Sequence, residues 1–325
     1  MAMNQVQDLQ NRIDDAFRNL QFPAEPADLY NPISYTLALG GKRLRPLLVL
    51  ASCQMFGGDT SDAINPAIGI ELFHNFTLLH DDIMDEAPLR RGKETVYKKW
   101  NSNVAILAGD TMFAIANKYM LRTRHQAISQ VVELFNQTAI EVCEGQQYDM
   151  DYEKRMDVTI PDYIEMIRLK TAVLLAASLK TGAIIAGAGT ADCDYIYQFG
   201  INIGLAFQLK DDLLDVYGIQ EKFGKVSGGD IIAGKKTFLY LKALESAGSQ
   251  TEYFRDLYAS HDIDSREKVM KVKEIFNQLE IEQHTRKLID DYYQKALHDL
   301  SRISLSVEAT ESLREYTDGL MEREN

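Results

Sequence analysis

Asp81, Asp82 and Asp85 stand together as a DDxxD cluster at the end of an apolar run, and Arg90 and Arg91 follow a turn at Pro88. On a helix Asp81 and Asp85 share one face, because residues four apart are neighbours there. Carboxylates held that close repel one another unless a cation lies between them. Oxygen ligands that leave room for water and phosphate oxygens suit Mg²⁺, which shares its shell with substrate phosphates. The adjacent arginines offer planar, permanently charged forks for further phosphate oxygens. For a single cluster, a solvated acidic helix end is the plain alternative.

A second copy changes the balance. Asp211, Asp212 and Asp215 repeat DDxxD after Phe207-Gln208-Leu209-Lys210. Charged residues make up 26% of the chain, so chance supplies DDxxD only about 0.07 times at this length. Two clusters point to several Mg²⁺ ions around one polyanion, and a diphosphate is the simplest such group.

Gly40-Gly41-Lys42-Arg43-Leu44-Arg45-Pro46 packs cations beside a flexible hinge at a helix start. Backbone N–H groups there, with Lys42 and Arg45 three apart on one helix face, make an anion site. A basic turn balancing an acidic protein is the alternative. His74 lies two turns before Asp81 on nearly the same face, where helix packing is its ordinary role. Lys170, Lys225 and Lys235 adjoin apolar or glycine-rich stretches, where a lysine is usually just solvated, and Asp290-Asp291 reads as surface. The segment from Gly229 to Thr237 approaches a GxxxxGK[ST] phosphate loop, but Lys236 occupies the Ser/Thr position and no apolar strand precedes it. Asn75-Phe76-Thr77 is a glycosylation sequon inside a helical pattern, with no secretory signal, and reads as coincidence.

These residues must be held by helices. Apolar positions recur every three or four residues, alternating strands are scarce, and there are only 7 prolines. The pattern predicts helices over 4–20, 33–39, 44–56, from Asn65-Pro66 through the first cluster, 104–120, 128–149, from Pro161 onward, and 195–217. Gly200 and Gly204, one turn apart, should let a neighbouring helix approach closely. Residues 221–236 read as a glycine- and lysine-rich loop, and the rest as amphipathic helices with Val269, Val272, Ile275, Phe276 and Leu279 inward. The long apolar stretch from Thr171 to Ala191 contains Lys180 and three glycines, so a buried core helix is expected there and not a membrane span.

The net charge of −13 argues against a nucleic-acid or anionic-membrane surface, both of which need a basic face. Cys53, Cys143 and Cys193 form no CxxC pair and read as reduced core thiols of a cytoplasmic protein. The N-terminal residues carry acids and no apolar signal-peptide core.

GGKRLRP, HDDIMD followed by RRG, GQQYD, LKT, FQLKDDLLD and FGKVSGGDIIAGKKT, in that order over residues 40–237, resemble the trans-isoprenyl diphosphate synthase, or polyprenyl synthetase, family. The resemblance implies one all-α domain over residues 1–325, a bundle of helices around a central apolar cavity of the isoprenoid synthase type. It implies a homodimer, no stable membrane anchor, and head-to-tail prenyl transfer between isopentenyl diphosphate and an allylic diphosphate. By the same resemblance, Mg²⁺, on the order of three ions, is held by Asp81, Asp85 and Asp211, with Asp82, Asp212 and Asp215 in support. Arg90, Lys170, Thr171, Gln208, Lys225 and Lys235 are similar to the grip on the allylic diphosphate. Lys42, Arg45, His74 and Arg91 are similar to the isopentenyl diphosphate site. A class I terpene cyclase and a non-catalytic helical subunit are the rival readings.

Helix geometry alone puts Thr77, one turn below Asp81 on nearly the same face, in the path of a growing chain. The family resemblance instead points to Phe76, five residues before the cluster, as the floor of a medium-chain enzyme. Core packing is the plain alternative for Phe76. A C20 product is expected, with C15 the alternative.

Overall fold

The computed structural model describes residues 2–218, 228–260 and 262–321. Helix α1 (Ala2–Arg18) buries Leu9, Ile13 and Phe17, one apolar stripe at four-residue spacing. Helix α2 (Ala27–Ala38) begins before the expected Ile33, with Pro26 at its N-cap and Pro32 inside it. Proline forfeits one intrahelical bond, and the burial of Pro32, Ile33 and Thr36 outweighs that loss. Helix α3 (Leu44–Met55) ends as expected at glycine, where Gly57 has φ 76° and the Gly58 N–H donates to Cys53 O at 2.9 Å.

Helix α4 (Thr60–Met84) starts ahead of Asn65-Pro66 because the Asp59 carboxylate accepts from the Ser61 N–H, capping the helix there. Beyond it lies a departure from the all-helical pattern. Strands β1 (Leu89–Arg90) and β2 (Lys93–Glu94) form a small antiparallel hairpin in which Arg90 pairs with Lys93. Arg91 and Gly92 are its two turn residues, with φ 52° and 74°, the positive values that a two-residue hairpin turn of primed type requires. Helices α5 (Val96–Lys99) and α6 (Ser102–Met120) follow, the second capped by Asn101.

Helix α7 is Ile128–Lys154. Helix α8 (Ile160–Ile167) opens on a Thr159/Asp162 capping box with Pro161 in the first turn. It continues through a π-helical turn, Arg168–Ala172, into α9 (Val173–Ala186). That turn carries Lys170 and Thr171, and periodicity gave no sign of it. By length and composition Ile160–Ala186 could cross a membrane, but 72% of its most apolar window is buried inside the protein, as a core helix should be. Then come α10 (Thr190–Tyr217), the short α11 (Gly229–Ala233), α12 (Phe238–Ser246), α13 (Thr251–Ala259), α14 (Ser265–Gln278), α15 (Ile281–Ser301) and α16 (Val307–Met321). On α14, Val272, Ile275 and Phe276 are buried while Val269 and Leu279 are half-buried.

The chain forms two compact units. The first, residues 1–136, 177–194 and 304–313, packs α3 and α6 against α4. The second, residues 137–176, 195–303 and 314–325, brings the π-helical turn against α10 and α7. A Cβ on Gly200 or Gly204 would lie 2.5 Å from the Cα of Ala176 or Ala172, so these glycines do permit the close approach expected of them. Gly145 on α7 is tighter still, since its Cβ would stand 2.3 Å from the Lys170 nitrogen.

Cys53 and Cys193 are buried free thiols as expected, but Cys143 is exposed on α7. Helical spacing did not separate it from the core face. Asn75 is buried and donates to Glu71 O at 2.8 Å, so the sequon is out of reach of glycosylation in the folded protein.

Candidate active site

In the first unit, the aspartate cluster sits at the C-terminal end of α4. Asp85 is the C-cap, its N–H donating to Asp81 O at 2.8 Å, so the helical relation between the two extends through the last turn. No basic residue lies in that turn. The helix dipole is negative there and disfavours carboxylates, which a bound cation would relieve. Asp82 is buried, and Arg90 from the hairpin clamps it: Nε donates at 2.7 Å to the oxygen that Nη2 pairs with at 2.6 Å. Arg90 reaches Asp81 only at 3.7 Å. Burial pushes the Asp82 carboxyl above its usual range against the pull of Arg90.

The same unit gathers the second set of cations. Lys42 and Arg45 do not share a helix face as expected, because α3 starts at Leu44 and its N-cap, Arg43, is left-handed at φ 46° and ψ 43°. Lys42 is therefore an exposed residue of the preceding turn. Arg45 Nη1 lies 3.1 Å from His74 Nε2. Arginine can only donate, so that nitrogen accepts and the imidazole is neutral. Burial first, then Arg45 and Arg91, push the His74 pKa well below its usual value. Arg91 lies flat against Gly41, where a Cβ would meet its guanidinium at 2.6 Å. The fully buried Glu71 faces this group. Burial raises its pKa, while Arg45, a hydrogen bond from Asn75, Arg43 and Arg91 oppose the rise.

Phe76 stacks on Phe113, ring centroids 5.3 Å apart, and touches Phe73 at 5.5 Å and His80 at 4.7 Å. The Thr77 hydroxyl donates to His74 O at 2.8 Å, so its polar atom is satisfied inside the helix.

In the second unit, one cavity of about 250 Å³ collects Lys170, Thr171, Gln208, Asp211, Asp212, Asp215 and Lys235. Sequence reasoning had singled out each of these; Lys225 falls outside the described residues. Lys170 Nζ meets Asp149 Oδ2 at 2.6 Å. Thr171 donates to Gln208 Oε1 at 2.9 Å, and Gln208 Nε2 donates to Asp212 Oδ1, also at 2.9 Å. The buried Tyr163 hydroxyl donates to the other Asp212 oxygen. Asp215 accepts from the Asp230 N–H at 2.9 Å, which ties α10 to α11. Lys236, the residue that spoiled the phosphate-loop pattern, lines the same cavity and caps the end of α7 through Tyr152 O at 2.5 Å and Glu153 O at 2.9 Å.

Among the described residues no three His, Cys, Asp or Glu side chains already converge as a finished metal site. The donor set nevertheless fits a hard cation. Asp149, Asp211, Asp212, Asp215 and Asp230 line one cavity, oxygen ligands only, and the α10 cluster too lies near a helix C-terminus without a basic residue in its last turn. Burial, then the charge of Asp230, push the Asp212 carboxyl up to about 8, partly offset by its hydrogen bonds from Tyr163 and Gln208 and raised further by Asp211.

That shift predicts a pH dependence. The folded-state pKa of Asp212 exceeds the ordinary 3.8, so the folded chain holds this proton more tightly than the unfolded chain does. Its contribution to stability is complete below about 4 and is lost as pH rises towards about 8. In EDTA, Asp212→Asn should flatten the fall in urea midpoint between pH 5 and pH 9. A fall as steep as that of the parent would contradict the assignment.

Sequence reasoning passed over Glu71, Asp149, Tyr163, Asp230 and Tyr258. Asp149 and Asp230 lie inside the GQQYD and SGGDIIAGKKT motifs, a signal that was there to be used. Tyr258 donates to Lys235 O at 2.7 Å from α13, and neither it nor Tyr163 carries any local mark.

The sequence model of the polyprenyl synthetase family matches residues 26–279. The geranylgeranyl pyrophosphate synthase of Geoglobus acetivorans is 37% identical over 322 residues, 98% of each chain. The geranylfarnesyl diphosphate synthase of Natronomonas pharaonis is 39% identical over 242 residues, 69% of this chain and 71% of its own. A crystal structure of a geranylgeranyl pyrophosphate synthase has a TM-score of 0.94 at 45% identity, covering 98% of this chain and 99% of that one. The polyprenyl synthase of Caulobacter crescentus, crystallised with calcium and isoprenyl diphosphate, has a TM-score of 0.85 at 30% identity, covering 100% of this chain and 95% of its own. With its paired aspartate clusters on an all-helical frame, the chain belongs to the polyprenyl synthetase family and is a prenyltransferase.

Proposed function

We propose that this enzyme condenses isopentenyl diphosphate with an allylic diphosphate, head to tail and with Mg²⁺, to give mainly a C20 prenyl diphosphate. The observation that carries the reading is the pair of DDxxD clusters at the C-terminal ends of α4 and α10, each with cations supplied from its own unit. The Caulobacter crescentus neighbour, bound to calcium and isoprenyl diphosphate, supports a divalent cation and a prenyl diphosphate as ligands here.

On the order of three Mg²⁺ ions would be held by Asp81, Asp85 and Asp211, with Asp82, Asp212 and Asp215 in support. Mg²⁺ supplies the positive charge that makes diphosphate a competent leaving group. Arg90, Lys170, Thr171, Gln208, Lys225 and Lys235 grip the allylic diphosphate and share its developing charge. Lys42, Arg45, His74 and Arg91 hold isopentenyl diphosphate so that its double bond attacks the allylic cation. A proton then leaves to the released diphosphate. Apolar flanks of α4 and α10 keep out water, which would trap the cation as an alcohol.

Incubating the purified chain with isopentenyl diphosphate and dimethylallyl, geranyl or farnesyl diphosphate, then chromatographing the products, tests the reading. A cyclised hydrocarbon made without consumption of isopentenyl diphosphate would identify a cyclase. No product under any condition would identify a non-catalytic subunit. A C15 product is the alternative to C20, and the Natronomonas pharaonis relative shows that the family extends to geranylfarnesyl products.

The two hairpin arginines should separate by substrate. Arg91 lies against Gly41 in the GGKR turn whereas Arg90 clamps Asp82. Arg91→Ala is expected to raise KM for isopentenyl diphosphate, and Arg90→Ala that for the allylic substrate, each by about tenfold or more. Lysine should restore neither fully, since it lacks the bidentate fork. Steady-state kinetics in which both variants raise the same KM would contradict the split.

The proposal includes a homodimer, with the exposed Ile106 and Leu107 of α6 as apolar surface for a second copy to cover. It also includes a cytoplasmic location, in keeping with the free thiols. Light scattering on the purified chain checks the first and cell fractionation the second.

A further inference from the structure

Helix α1 lies outside every motif that carries the chemistry, yet it is bonded to one of them. Its apolar stripe of Leu9, Ile13 and Phe17 is buried, and its polar edge reaches the GGKR turn. Arg43 Nη1 donates to Asp14 Oδ1 at 2.8 Å, and the same guanidinium lies over the Phe17 ring, 4.4 Å from its centroid. The pair is partly buried, with 17% of the Arg43 side chain and 41% of the Asp14 side chain exposed. Arg12, five residues before Phe17, donates to the Thr60 hydroxyl at the start of α4.

The turn needs such an anchor. Gly40 and Gly41 have φ 74° and 137°, and Arg43 is left-handed at φ 46°, a region that a residue with a Cβ avoids unless its surroundings hold it. The turn is also crowded with like charge. Arg43 stands close enough to Arg91 to oppose its ionisation, and Arg45 and Lys42 flank it in the chain. Asp14 supplies the opposite charge from α1, on one side of the turn. Glu71 supplies it from α4.

We infer that α1 is a strap for the anion-binding turn: Asp14 and Phe17 fix Arg43, and Arg43 fixes the backbone that presents Lys42 and Arg45. Asp14, Phe17 and Arg43 are positioning residues for the second diphosphate. The inference rests on the reading of Lys42 and Arg45 as the isopentenyl diphosphate site.

The test is steady-state kinetics on the full chain with both substrates varied, for Asp14→Ala, Asp14→Glu, Phe17→Leu and the charge exchange Asp14→Arg with Arg43→Asp. Asp14→Ala should raise KM for isopentenyl diphosphate about tenfold, leaving kcat and the allylic KM within about twofold. Asp14→Glu should restore most of the loss. The charge exchange should lie nearer the parent than either reversal alone. An unchanged KM for isopentenyl diphosphate in Asp14→Ala overturns the strap. So does an equal rise in both KM values, which would report general loosening of the fold. Where thermal melting shows Asp14→Ala unfolded, Phe17→Leu is read by the same criteria. Lys42→Ala, run alongside, separates the two levels. If it leaves KM for isopentenyl diphosphate unchanged, the reading of the turn fails; if it raises KM while Asp14→Ala does not, only the strap fails.

Discussion

Asp81→Ala and Asp211→Ala are each expected to lower turnover by at least about 10²-fold, and EDTA to abolish it until Mg²⁺ is restored. The expectation follows from where the carboxylates lie. The first cluster closes α4 and the second leads into the last turn of α10, neither of which carries a basic residue, so a bound cation adds favourable charge at both helix ends. Removing one carboxylate removes a ligand and part of the electrostatic reason for the ion to stay. The substitutions should leave the fold intact, and for the same reason: a repelled charge at a helix end contributes little to stability without its ion. Asp81 is half-buried and Asp211 exposed, so neither deletion opens a core cavity. The measurement pairs turnover with thermal melting in EDTA. Normal turnover in either variant would end the two-cluster mechanism. A variant that loses activity only by unfolding would leave the cluster's role to be read from its conservative Asn counterpart.

The parts of this site that were legible in the sequence share one property: residue type and spacing alone limit what they can do. DDxxD twice and the paired arginines are of that kind, whereas the spacing of Lys42 and Arg45 misled, because α3 starts only at Leu44. The local geometry around them was less legible, because it depends on competition among weak local preferences. In the sequence Pro32 and Pro66 read as helix boundaries, but a cap at Asp59 and the packing around Ile33 carry the helices straight past them. The hairpin of Leu89–Glu94 is too short to show alternation, yet it places both arginines. The π-helical turn at Arg168–Ala172 adds a residue to a helix whose periodicity looks ordinary, and it lies where Gly145 of α7 packs closely against Lys170. Buried partners were the least legible of all. Tyr163 meets Asp212 from 49 residues away, and no pattern in either segment announces the pair.

Phe76→Ala is expected to lengthen the product by at least one C5 unit. In the ligand-free geometry Phe76 is half-buried on α4 and packs in an aromatic cluster, stacked on Phe113 and in contact with Phe73. Five residues separate it from Asp81, about 7.5 Å along the axis at the α-helical rise. By the family resemblance the ring is the floor for a chain that grows from a diphosphate held at Asp81, although helix geometry turns it about 140° away from the face of Asp81; Thr77 is small and its hydroxyl is turned back onto His74 O. Truncation to alanine removes a ring and leaves an apolar void, which stays dry and is suited to hydrocarbon. The cost is real, since Phe→Ala in a packed cluster loses about 3–5 kcal/mol of stability. The product distribution is therefore read at a temperature well below the variant's melting point, with Phe76→Leu as the milder partner. Chromatography should show C20 giving way to longer chains in Phe76→Ala, and an intermediate mixture in Phe76→Leu. If both variants stay folded and active with the parent's product distribution, Phe76 is a packing residue of the α4–α6 contact, and the wall must be sought among its neighbours, beginning with Phe113.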